Sequence, residues 1–193
     1  MKRFLKKFTL LYLLYQKISD LLRLSKLRRR FPDAHIDSSV KVIFPSFLKL
    51  GTNVELQHHI TLHCGGAEWC NNSGGIEIGD NSILSNDVVI WGCGSKVIIG
   101  KNLDCAPGVK IFSSRTNYSS LKHRTHFFKD VIIGDDVIIY SNVVIGPGIH
   151  IGDRAVIGAN SFVIDNVEPD TIVAGSPAKY IKNRILDKEA QLK

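Results

Sequence analysis

One interval governs the second half of this chain. From residue 133 onward an aliphatic side chain stands at every sixth position: Ile133, Ile139, Ile145, Ile151, Ile157 and Val163. Four residues after each of the first five comes a second small or apolar residue: Val137, Val143, Ile149, Ala155 and Ser161. Gly follows the key aliphatic at Gly134, Gly146, Gly152 and Gly158. A period of six fits neither the 3.6-residue repeat of a helix nor the two-residue alternation of a strand. Self-similarity at six residues marks a parallel β-helix. Three hexads complete one triangular coil, and equivalent aliphatics of successive coils stack into a single core.

The same spacing recurs upstream, with interruptions. Leu50, Leu56 and Leu62 keep it; Ile78, Leu84 and Ile90 resume it after a Gly/Asn-rich stretch at 63–75; Ile99, Cys105 and Ile111 follow. Cys105 therefore occupies an aliphatic place as a small hydrophobe. The coils before Leu50, around His35–Leu48, read as irregular. The longest break covers 113–130. Insertions in a solenoid gather on one face, often the binding face.

Residues 1–30 differ in character. They hold ten Lys or Arg against one acid, so of the chain's net +7 they contribute +9 and the rest carries −2. Nucleic-acid binding by the repeat body is excluded on that distribution. Phe4, Phe8, Leu11, Tyr15, Ile18 and Leu22 recur at spacings of three and four, the stripe of an amphipathic helix. The apolar run from Phe8 to Tyr15 is too short to span a bilayer. No small-residue cleavage site follows it, which argues against export. Two uses remain: lying on an anionic membrane surface, or packing on protein. Phe31-Pro32 ends the helix, because the residue before Pro leaves the helical region. The expected domains are thus 1–32, a basic helix; 33–180, the β-helix with its inserted loop 113–130; and 181–193, a short helical tail that caps the last coil. Four scattered Cys without a CxxC pair (Cys64, Cys70, Cys93, Cys105) fit a reducing compartment and no metal.

Over roughly residues 50–185, the IG-initiated hexads, the loop before the last run and the closing AGSPAKYIK of 174–182 resemble the hexapeptide-repeat, left-handed parallel β-helix acyltransferases. The nearest members are bacterial sugar O-acetyltransferases of the galactoside, maltose and polysaccharide-biosynthesis type. The resemblance implies direct acetyl transfer from acetyl-CoA to a sugar or lipid-linked sugar, in a cytoplasmic homotrimer, peripheral to the inner membrane face if the basic helix meets lipid. It implies that Lys179 and Lys182 meet the CoA phosphates, that Gly158 and Ala159 line the pantetheine arm, and that the Ser141 amide faces the thioester carbonyl. The resemblance also implies that Asn86 falls on the acceptor side. The place that the family gives to a catalytic His reads Ser114-Arg115-Thr116 here. The candidate bases are therefore His123 and His126 further along the loop, His being the commonest general base.

The loop also brings Ser114, Arg115 and Tyr118 as acceptor contacts, with Phe127 and Phe128 for stacking or packing. His58, His59 and His63 form a second cluster; two adjacent strand residues point to opposite faces and cannot share one site. N-acyl transfer to an amino-sugar nucleotide, whose amine needs less activation, and a non-catalytic trimeric scaffold are the alternative readings.

Overall fold

The computed structural model of the chain describes residues 18, 19, 21–119 and 125–185. It has two compact units, Met1–Pro32 and Asp33–Lys193. In the first, residues 21–30 are helical, and the Phe31 N–H donates to the Leu27 carbonyl at the helix end. The stripe residues Phe4, Phe8, Leu11 and Tyr15 lie outside the described residues. No helix among the described residues is long and apolar enough to cross a membrane.

The second unit is the parallel solenoid that the six-residue interval demands. Its first coil is β1 (His35–Ile36), β2 (Lys41–Ile43) and β3 (Leu48–Leu50). The second is β4 (Glu55–Leu56), β5 (Thr61–His63) and β6 (Gly75–Ile78), and the third β7 (Ile83–Leu84), β8 (Val89–Trp91) and β9 (Lys96–Ile99). The fourth begins with β10 (Asp104–Cys105) and β11 (Lys110–Phe112), departs into β12 (Ser114–Thr116) and β13 (His126–Phe128), and returns as β14 (Val131–Ile133). Then come β15 (Ile138–Ile139), β16 (Val144–Ile145) and β17 (His150–Ile151), followed by β18 (Val156–Ile157) and β19 (Phe162–Val163). The chain ends in β20 (Thr171–Gly175) and β21 (Ala178–Asn183).

Every third strand of the coils pairs in parallel, giving three faces: β1-β4-β7-β10-β15-β18-β20, β2-β5-β8-β11-β16-β19 and β3-β6-β9-β14-β17. The six aliphatics distribute over these faces in rotation. Ile133 pairs with Ile151 on the third face, Ile139 with Ile157 on the first, and Ile145 with Val163 on the second. All six are at most 1% exposed, so the period is the period of the core. The intervening Val137, Val143, Ile149, Ala155 and Ser161 are buried as well, filling the corners. Cys105 sits between Leu84 and Ile139, fully buried, and burial pushes its thiol up to about 12. The solenoid is the left-handed parallel β-helix expected from the repeats.

Two readings of the sequence change. The coil around His35–Leu48 is in register, with Ile36 beside Leu56, Val42 beside Leu62 and Leu48 beside Ile76. Its irregular appearance comes from a 3-10 turn, Pro45–Phe47, that lengthens one corner. At the other end, residues 181–183 do not begin a helix. They finish β21, which folds back antiparallel on β20 and buries Ala178. A strand closes the end because it offers partners to the open edge of β20, which a helix cannot. Residues 186–193 lie outside the described residues.

Candidate active site

The corner turns decide which side chains meet. Between the first and second faces every coil from the second on makes a two-residue turn whose second position takes a left-handed backbone. His59, Asp87, Asn142 and Asn160 stand there with φ of 56–60°, a region that Asn and Asp tolerate better than most residues. The position before it holds Ser38, His58, Asn86, Pro107, Ser141 and Ala159. These fall in one column, because the strands ahead of them pair in unbroken register from His35 through Glu55, Ile83, Asp104 and Ile138 to Val156. Asn86, Ser141 and Ala159, far apart in sequence, are thus brought to one edge of the solenoid.

Polar groups along this edge are partly committed. The His58 N–H donates to the Asn86 carboxamide oxygen at 3.1 Å, leaving the Asn86 Nδ2 donors free of that contact. The equivalent N–H of Ser141 has no acceptor among the described residues. His58 Nδ1 lies 3.1 Å from Asp37 Oδ1. The Ser39 hydroxyl and amide, then His58, hold the Asp37 carboxyl well below the usual carboxylate range. His58 and His59 are therefore turn residues rather than strand residues, and each has its own carboxylate: Asp37 for one, Asp87 at 3.9 Å for the other. The pair with Asp37 was invisible in sequence because the two residues belong to successive coils.

Gly158 serves this edge in a way not foreseen. A Cβ on it would stand 2.7 Å from the Cβ of Ala174, so its smallness admits β20. The Ser161 hydroxyl donates to the Gly158 carbonyl at 2.6 Å and accepts from Gly175 N–H at 3.0 Å, tying the β20–β21 turn to the same corner. Lys179 and Lys182 lie on β21, opposite Ala174 and Ile172. Lys179 is engaged with Asp165 at 3.1 Å, an exposed pair.

The corner between the second and third faces carries both insertions. Ser113 starts the larger one and is fully buried, its hydroxyl 3.0–3.2 Å from the carbonyls of Trp91, Cys93 and Ser95. From there β12 and β13 form an antiparallel hairpin pairing Ser114 with Phe128, Arg115 with Phe127 and Thr116 with His126. His126 is half-buried against Trp69 of the smaller insertion (5.0 Å between ring centres) and Phe128 (5.9 Å). Arg115 lies over both Tyr118 and Phe127. His123 falls outside the described residues. One chain thus holds His126 at a different corner from Ser141, Gly158 and Ala159.

A Cys–His pair at this corner is not a nucleophile. Cys93 Sγ lies 2.7 Å from His63 Nδ1, both buried. Burial pushes the thiol up to about 12 and lowers the imidazole, so the pair is a neutral hydrogen bond. Among the described residues no group of three potential ligands could hold a metal ion.

The chain's repeats match the model "Bacterial transferase hexapeptide (six repeats)" over residues 130–165 and "Hexapeptide repeat of succinyl-transferase" over 66–91. It is 38% identical over 118 residues to a probable macrolide acetyltransferase of Lysinibacillus sphaericus, covering 51% of this chain and 66% of that protein. It is 31% identical over 152 residues to WbbJ of Escherichia coli K12, a putative lipopolysaccharide biosynthesis O-acetyl transferase, covering 72% of this chain and 76% of that one. The crystal structure of a hexapeptide-repeat acetyltransferase from Vibrio cholerae in complex with acetyl coenzyme A superposes with a TM-score of 0.61 at 30% identity, covering 74% of each chain. The chain belongs to the hexapeptide-repeat acetyltransferase family. It spans 66%, 62% and 30% of the lengths of the first three curated relatives it matches.

Proposed function

We propose that this protein is an acetyl-CoA-dependent O-acetyltransferase acting on a sugar hydroxyl, in surface-polysaccharide or lipopolysaccharide synthesis. The observation that carries the reading is the single column holding Asn86, Ser141 and Ala159. The unused Ser141 N–H is the oxyanion donor, aimed at the thioester carbonyl as charge grows on it. Ala159 and the corner beside it seat the pantetheine arm, and Lys179 and Lys182 stand at the end of that path. The sugar hydroxyl attacks the carbonyl carbon, a C–O bond forms as the C–S bond breaks, and the proton passes through a base to the departing thiolate.

The base is His126, delivered from the hairpin corner of a neighbouring copy in a homotrimer, since its own chain holds it at another corner. His58, although oriented by Asp37, lies three strand spacings from Ser141, about 14 Å. That is far beyond the ~3 Å of a proton transfer. It belongs with Asn86 at the distal end of the acceptor. The similarity to WbbJ supports the lipid-linked or polysaccharide acceptor, and the +9 of residues 1–30 supports a cytoplasmic protein resting on an anionic membrane face.

His126→Ala is expected to lower kcat about 100-fold or more, the span of a general base, with the KM for acetyl-CoA unchanged. Asn86→Ala raises the acceptor KM instead. Wild-type kcat in His126→Ala on a hydroxyl acceptor would remove His126 from the mechanism. If full turnover survives only on amino sugars, the reaction is N-acyl transfer.

A further inference from the structure

The smaller insertion, 63–75, has no part in the reaction above, yet it is built as a platform. Its base is fixed. Cys70 is fully buried, and its thiol donates to the Ala67 carbonyl at 3.1 Å. The Ser73 hydroxyl donates to the Cys70 carbonyl at 2.8 Å, and the Gly94 N–H of the next coil donates to the Ser73 carbonyl at 3.1 Å. On this base the 3-10 turn Glu68–Cys70 and the two residues after it present Trp69, 43% exposed, with Asn71 and Asn72, both exposed.

We infer that this platform is a sugar subsite, holding the units of an oligosaccharide acceptor that adjoin the one being acetylated. The inference rests on the sugar O-acetyl transfer proposed above and gives the acceptor a length: a chain of sugars rather than a single one.

Position is the first support. The Trp69 ring centre lies 5.0 Å from that of His126 and 6.1 Å from that of Phe128. Trp69 and His126 share one corner of one chain, so a hairpin that delivers the base delivers Trp69 beside it. On its other side the insertion meets the first coil. A Cβ on Gly66 would stand 2.9 Å from the Phe44 ring and 3.0 Å from the Phe47 ring, so its backbone lies against both. Those rings are themselves 40% and 38% exposed. Phe44 takes a left-handed backbone, φ 56°, that a bulky residue rarely adopts. Aromatic rings thus line this corner from the first coil, through Trp69, to the hairpin of the fourth. Three strand spacings are about 14 Å, longer than one sugar ring.

Chemistry is the second. Neither carboxamide, nor the Trp69 indole N–H, has a hydrogen-bond partner among the described residues. A carboxamide both donates and accepts, as a sugar hydroxyl does. The Trp69 ring offers an apolar face to the C–H side of a pyranose, with a polar N–H at its edge. Residues 63–75 include one acid, Glu68, and no Lys or Arg, so nothing in the platform favours a phosphorylated ligand. An apolar protein or lipid face would strip water from the two amides without replacing it.

Acetylation kinetics on a hexose, an N-acetylhexosamine and their di-, tri- and tetrasaccharides test this. Wild-type kcat/KM is expected to rise about 10-fold or more from monosaccharide to trisaccharide, the worth of one or two added hydrogen bonds. Asn71→Gly with Asn72→Gly should remove most of that rise by raising the oligosaccharide KM, with monosaccharide kinetics as in wild type. Both positions have φ near 55°, which Gly accepts without strain, and the ring contact with His126 stays in place. A wild type indifferent to acceptor length overturns the inference. So does a double variant that loses kcat equally on every acceptor, which would make the platform a support for the hairpin. A double variant that sediments as a smaller assembly than wild type also overturns it, assigning the surface to a second copy. Acetyl-CoA that binds while no sugar of any length is acetylated overturns the acceptor reading beneath it instead.

Discussion

Ala159→Phe is expected to abolish measurable acetyl-CoA binding while leaving the melting temperature within a degree or two of wild type. Ala159 is exposed, at the first position of its corner turn, with its side chain outside the core. Its backbone is not among those with positive φ, so a larger residue is not strained there. The ring would cover the edge beside Ser141, the proposed seat of the thioester arm, and a close-packed ligand tolerates no such intrusion. A loss of about 100-fold or more, near 2.8 kcal/mol, is expected in a calorimetric titration. Ser38→Phe supplies the control. Ser38 occupies the same turn position in the first coil, far along the column, so the same added ring should leave acetyl-CoA affinity unchanged. Equal losses in both variants would show that the corner does not hold the donor.

The second large effect concerns the core. Ile139→Ala should destabilise the protein by about 3 kcal/mol, within the range for emptying a buried aliphatic site. Ile139 is fully buried and stacked between Cys105 and Ile157. Neighbouring coils cannot close the gap, because strand pairing fixes their spacing at about 4.8 Å. Ile132→Ala, on the outward side of β14 and 38% exposed, should cost less than about 1 kcal/mol. Guanidinium unfolding midpoints measure both. Comparable losses would mean that the inward column does not carry the stability.

These two variants mark what the sequence reveals and what it hides. The inward residues are legible because each coil repeats one contact, so the core appears as an interval of six. Cys105 could be placed for the same reason. The first-corner column is harder. Ser141 and Ala159 are one coil apart, 18 residues, but Asn86 is separated from Ser141 by a coil that contains the insertion, so no constant interval links the three. Their alignment follows only from strand register.

The hairpin at 113–130 also left no periodic trace. Its strands are three residues each, polar on one side, and pair with one another rather than with the solenoid. Residues 181–183, expected to open the helical tail 181–193, are the end of β21 instead. What makes them strand is the unpaired edge of β20, a tertiary partner that local propensity cannot show. The Asp37–His58 contact is hidden for the same reason, being one coil apart in space and 21 residues apart in sequence.

The proposed reaction is acetyl transfer from acetyl-CoA to a sugar oxygen. The most direct measurement is to incubate the purified chain with acetyl-CoA and a panel of hexose and amino-sugar acceptors, following free thiol and the mass of the acceptor together. The predicted result is thiol release that requires an acceptor, matched one for one by an acetylated sugar whose ester is cleaved by hydroxylamine, and lost in Ala159→Phe. Acetyl-CoA that neither binds nor turns over with any acceptor would contradict it.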